Sequence, residues 1–253
     1  MTRVFYRCPK CGYRPAQAMP ADGQCPVCDI YFQKWEDAQA ELELGEVAAQ
    51  QSSTVEAASA FPAALLTPQA RMAPAVFYSR CAALIFIAVW GWRLIGMDYR
   101  DGEIGGSFMH NILLPIHEAG HVLFLPFGEF LTILGGSFFQ LALPLGLAIA
   151  FVLRNRDNFA AAVCLWWFGA SFLDLAPYVY DALDPQLIML GGHTGEEGPH
   201  DWIYLLERFG QLQNAPVWGF VVHKLGALTI SAGVAWAAFL LWQQRQNLGT
   251  ETV

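Results

Sequence analysis

The sequence predicts a mostly α protein: a polytopic helical membrane domain of four to five apolar helices, preceded by a small metal-stabilised four-cysteine ribbon. Three observations lead there. Apolar types make up 55% of the 253 residues and charged types only 14%, against roughly 25% charged in ordinary soluble domains. Beyond position 76 the apolar residues gather in runs long enough to cross a bilayer. Near the N-terminus, Cys8, Cys11, Cys25 and Cys28 form paired Cys-x-x-Cys units. The net charge of −8 comes largely from acidic residues at 36–56 and 181–207. It reads as loop and linker chemistry, and no nucleic-acid partner is expected.

Residues 1–35 hold the cysteine module. Two knuckles separated by thirteen residues are a strong signal for a tetrahedral four-thiolate metal site. Gly12 supplies the positive φ that turns backbone amides toward the sulfurs. Such a module is too small to fold on an apolar core, so the metal is expected to supply most of its stability. The spacing is that of a zinc ribbon. The Cys-Gly-Tyr and Cys-Pro-x-Cys wording also resembles short-loop rubredoxin-like domains, which bind iron. Zinc is the first expectation, implying a structural or docking role toward a cytoplasmic partner. Iron is the second, implying electron transfer. Met1 to Arg7 contains no apolar core of a signal peptide. The module is therefore expected in a reducing cytoplasm, where thiols hold metal more readily than they form disulfides. Cys81 and Cys164 lie alone in apolar runs and read as small buried hydrophobes.

Residues 36–75 are rich in Ala, Glu, Gln, Ser and Pro, the composition of a partly helical or disordered linker. The membrane domain spans 76–245, and 246–253 is a tail. Its apolar segments run roughly 80–97, 108–127, 131–153, 159–180 and 217–242. Leu131 to Leu153 carries no charge over twenty-three positions, enough to span. The first segment contains Arg93, which can snorkel to an interface. Arg71, Arg80, Arg154, Arg156 and Arg245 flank segments one, three and five, whereas the loops at 98–106 and 181–216 are acidic on balance. Placing every basic flank in the cytoplasm requires an even number of crossings between 80 and 154. Segment 108–127, broken by Pro115, Pro126 and Gly128, is the candidate for a re-entrant or half-membrane helix.

That segment contains His117-Glu118-Ala119-Gly120-His121. Histidines four apart on a helix project from one face and reach one zinc, with Glu118 beside them to take a proton from an activated water. Ionisable groups inside an apolar segment are costly and are functional candidates by default. A catalytic zinc site needs a third protein ligand and an open position. Segment four offers Asp174 and Asp181, seven apart on one helical face with Pro177 between them, and the following glycine-rich loop offers His200. Gly135-Gly136-Ser137 and Gln140 start segment three. They suit either a substrate groove or close helix packing.

The motif in this setting resembles the site-2-protease-like intramembrane zinc metalloproteases, which carry His-Glu-x-x-His in one membrane helix and an Asp ligand in a later one. Asp174-Leu175-Ala176-Pro177 followed by Asp181-Ala182 looks like a variant of the family's Asn-x-x-Pro…Asp-Gly pattern. The resemblance covers about residues 108–185. It implies zinc held by His117, His121 and Asp181, Glu118 as general base, Asp174 in the place of the family's Asn, and cleavage of a membrane protein or peptide substrate within the lipid bilayer. Ala182 stands where the family has Gly. Two other functions remain open: a membrane zinc hydrolase of lipids or small amides, and a metal-binding scaffold without catalysis.

Overall fold

The structure is a computed structural model; it describes residues 4–35, 37–39, 41, 65–67, 72–246 and 248. The chain is mostly helical and divides into two compact units, Met1–Ala64 and Leu65–Val253. Most of the expected linker, including 42–64, lies outside the described residues. Leu65 and Thr67, within that expected linker, instead belong to the membrane unit. Their carbonyls accept from Trp236 Nε1 at 2.9 Å and Asn158 Nδ2 at 3.0 Å.

In the N-terminal unit, β1 (Val4–Phe5) pairs antiparallel with β2 (Met19–Pro20), setting Val4 opposite Pro20 and Phe5 opposite Met19. Its core is small: Cys8, Met19, Cys25 and Phe32, with Phe5 stacked on Phe32 at 4.7 Å. So few apolar side chains cannot carry a fold of this size, as the sequence suggested.

The membrane unit contains α1 (Pro74–Gly96), α2 (Phe108–Phe124), α3 (Glu129–Ala150), α4 (Asn158–Asp181), α5 (Asp201–Arg208) and α6 (Ala215–Arg245). Four stretches are long and apolar enough to cross a membrane: α1, α3 with its continuation to Asn155, α4, and 212–245. Among these α4 is the central one, with 67% of its apolar window buried against 17–33% for the rest. It packs antiparallel to α6 along a glycine stripe. Gly219 faces Tyr180, Gly226 faces Gly169 and Leu173, and Gly233 faces Ala162 and Trp166, each so close that a Cβ would strike the opposite helix. A small residue every seventh position lets two apolar helices approach to backbone contact, the main source of cohesion where lipid replaces water. Ile87, Leu94, Met109, Leu113, Trp166, Leu173 and Ile230 then tie α1, α2, α4 and α6 into one core.

Arg80 near the start of α1 pairs with Asp157, just before α4, at 2.8 Å. Phe77, Phe159 and Leu241 form a second cluster at the same end of the bundle. The basic flanks of α1, α3 and α6 thus share one end. Among the described residues, α2 is not one of the helices long and apolar enough to cross. Its 17 residues span only about 25 Å, short of a hydrocarbon core of about 30 Å. Pro115, expected to break the segment, lies inside a continuous helix. The ring only deprives the Asn111 carbonyl of its helical donor. The actual end comes at Phe124, where a turn over Leu125–Phe127 leads to Gly128 at φ 92°.

Candidate metal centre

Ser107 caps α2 by accepting from the His110 backbone N–H at 3.1 Å. The helix then runs antiparallel to α3, and Gly120 and Gly135 bring their backbones into contact. That approach seats the His117 and His121 imidazoles over Gly136. A Cβ there would lie 2.5 Å from Nε2 of both rings. Packing and cradle are therefore one feature of Gly135-Gly136.

The outer nitrogens are committed. His121 Nδ1 is 2.8 Å from the Thr132 carbonyl, which only accepts, so Nδ1 carries the proton. His117 Nδ1 is 2.9 Å from Gln140 Oε1. The fully buried Gln140 amide is oriented by its own donation to Asp174 Oδ2 at 2.9 Å. With Nδ1 engaged, both imidazoles turn Nε2 toward one point. Asp201 Oδ2 stands at that point, 3.0 Å from His117 Nε2 and 3.2 Å from His121 Nε2. The Tyr178 hydroxyl accepts the Asp201 backbone N–H at 2.9 Å.

The sequence left the third donor among Asp181, Asp174 and His200, and the structure corrects this. The metal-capable group among the described membrane residues is His117, His121 and Asp201. Asp174 accepts from Gln140 and from His110 Nδ1 at 2.9 Å, so it stands behind His117. Asp181 lies at the end of α4, where its Oδ1 accepts the Gln186 and Leu187 amides. His200 caps α5 through Nδ1, which accepts from Ile203 N–H at 3.2 Å, and turns Nε2 toward Asp181. The loop does fold back over the site, but the residue it delivers is the one after His200. An acidic residue opening a short helix directly after a glycine-rich return loop was the available signal.

His117, Glu118, His121 and Asp201 line a cavity of about 650 Å³ that extends past His110, Asp174 and Tyr178 to Leu187–Leu190. A tetrahedral zinc with bonds of about 2.0–2.1 Å sets its donors about 3.3–3.4 Å apart. The 3.0 and 3.2 Å separations here come close to that spacing. Two imidazole nitrogens and one carboxylate, with Gly136 leaving room behind them, fit such an ion.

In the N-terminal unit the two knuckles repeat one backbone pattern. Gly12 N–H donates to Cys8 O and Asp29 N–H to Cys25 O, both at 3.0 Å. Gly12 and Asp29 hold φ of 74° and 57°. The Cys8–Cys28 and Cys11–Cys25 sulfurs lie 3.6 and 3.7 Å apart. Bonds of about 2.3 Å from a tetrahedral metal predict about 3.8 Å. Burial opposes ionisation of Cys8, but the Cys11 and Lys10 amides lower its thiol to about 6. Burial and the neighbouring thiols push Cys28 up to about 12. The unit thus contains a four-cysteine cluster able to hold a metal.

Comparison with protein families, curated proteins and solved structures finds no match to this chain.

Proposed function

We propose that the chain is a membrane-embedded zinc hydrolase, an intramembrane metalloprotease by the resemblance of its motif. The observation that carries this is the placement of Glu118 beside His117 and His121 on one helix, lining the same cavity as Asp201. His117, His121 and Asp201 would hold the zinc. When bound there, the ion supplies Lewis acidity, which acidifies water and polarises a carbonyl. Glu118 takes the proton released by the attacking water and returns it to the departing amine. Gln140 and the Thr132 carbonyl keep both imidazoles in the tautomer that binds metal. Leu187–Leu190 give the cavity an apolar wall.

Zinc is also the metal proposed for the four-cysteine unit, acting as a cytoplasmic docking arm. The basic flanks gathered at one end of the membrane unit support placing that end in the cytoplasm.

One observation favours the second reading, hydrolysis of a lipid or small amide. Among its described residues the membrane unit contains no β-strand, so the site offers no strand edge to which an extended peptide can add. The test is hydrolysis by purified full-length protein in bilayer discs, beside a Glu118→Gln variant. Loss of about 10²–10⁴-fold in rate, with zinc retained, is expected for removal of a general base. Release of peptide fragments supports the protease, and release of fatty acid or amine supports the second reading. Equal rates in both proteins would remove Glu118 from the chemistry.

A further inference from the structure

Between α4 and α5 the chain forms a loop whose two stems meet at one carboxylate. Asp181 is buried, and its Oδ1 accepts from the backbone N–H of Gln186 at 2.8 Å and of Leu187 at 3.1 Å. Its Oδ2 lies 3.4 Å from His200 Nε2 at the loop's far end, and the His200 side chain is fully buried. Because His200 Nδ1 accepts the Ile203 N–H, the ring proton sits on Nε2 and faces Asp181. A carboxylate out of water needs donors. Oδ1 finds both of its donors in this loop, while Oδ2 and His200 Nε2 face each other at 3.4 Å, buried and without a hydrogen bond to any described residue.

Between these stems the chain turns back at Gly191 and Gly192, both at positive φ, with Met189 N–H bonded to His193 O at 2.8 Å. Leu187, Ile188, Met189 and Leu190 line the cavity. The residue directly after the second stem is Asp201. The ring of Tyr178, one helical turn before Asp181, packs against His200 with centroids 4.4 Å apart and planes tilted by 42°, while its hydroxyl accepts the Asp201 N–H.

We propose that Asp181 is a positioning residue for Asp201. Its Oδ1 fastens the 186–187 stem to the end of α4 and its Oδ2 faces His200 at the other stem, so that closure of the cavity and arrival of the third donor at His117 and His121 are one event. The proposal rests on the metal-centre reading of those three residues. When the loop opens, the Asp181 carboxylate loses its donors, and the histidine pair loses Asp201. The apolar wall of the cavity and the completeness of the metal set are thereby coupled through one side chain that touches neither metal nor substrate.

The test is zinc affinity at the membrane centre of the full-length protein in detergent, read by chelator competition. Cobalt substitution separates the two centres, because thiolate-to-metal absorption marks the four-cysteine unit alone. Asp181→Asn keeps an oxygen for the Gln186 and Leu187 amides but sets an N–H against the His200 N–H. His200→Asn keeps a good cap for α5 but cannot reach Asp181. Each is expected to weaken zinc binding about 10–100-fold, as removal of an outer partner does. The double variant should lose no more than the weaker single, because the two act through one contact. Wild-type affinity in both singles, or losses that multiply in the double variant, would overturn the proposal. Asp201→Asn is measured alongside. Wild-type affinity there would reject the metal set itself. Loss there with no effect at Asp181 and His200 would reject only the positioning role.

Discussion

His117 Nε2 and Asp201 Oδ2 stand 3.0 Å apart although 84 residues separate them in the chain. The histidine belongs to a short helix within the apolar bundle, and the aspartate opens a helix at the end of a return loop. The metal set is thus built half on a packed scaffold and half on a segment that must fold back to complete it. Rigid donors on a helix pair keep metal in place, while a donor on a loop makes the last bond depend on closure.

Gly136 sets the floor of the site. Gly136→Ala adds one methyl group at the point where both Nε2 atoms converge, so it is expected to abolish zinc binding at the membrane centre. The helix should lose nothing, since Ala is the better helix former. Metal content with circular dichroism checks this, and unchanged zinc with unchanged helicity would refute the cradle.

Gln140 fixes the His117 tautomer while itself held by Asp174. Gln140→Leu removes the acceptor for Nδ1–H and leaves the Asp174 carboxylate short of one donor. Zinc affinity at this centre should fall about 10–100-fold, while the four-cysteine unit should keep its metal. Competition with a chromophoric chelator measures both.

The N-terminal unit should depend on its metal for structure. Among its described residues the buried apolar core is Cys8, Met19, Cys25 and Phe32, and two of these belong to the four-cysteine cluster. Cys25→Ser in the full chain should expose the 1–35 segment to limited proteolysis, leaving the membrane unit intact. Unchanged protease resistance would show that the unit folds without a complete thiolate set.

The membrane helices, the His117-Glu118-His121 face and the four-cysteine cluster were legible in the sequence because each is a local pattern: apolar run length, i to i+4 spacing and paired knuckles. The continuity of α2 was not legible, because Pro115 lies inside the helix without ending it. Asp201 was legible only as an acidic residue opening a short helix after a return loop, because no spacing rule connects it to a helix 84 positions earlier. Asp174 and Asp181 drew attention for a sound reason, as buried carboxylates near the site. The structure gives both to hydrogen-bond networks instead, one behind His117 and one at the loop stems. Gln140 was noticed only as a polar residue facing a groove, since its role depends on which way its amide points, and Asp174 decides that.

The most direct measurement is zinc per chain in the purified full-length protein and in Asp201→Ala, with cobalt absorption to identify the centre affected. The proposed structure–function relation predicts two zinc ions per wild-type chain and one in the variant, the survivor carrying the thiolate signature. Two ions retained in Asp201→Ala, or a wild-type chain holding metal only at its cysteines, would contradict it.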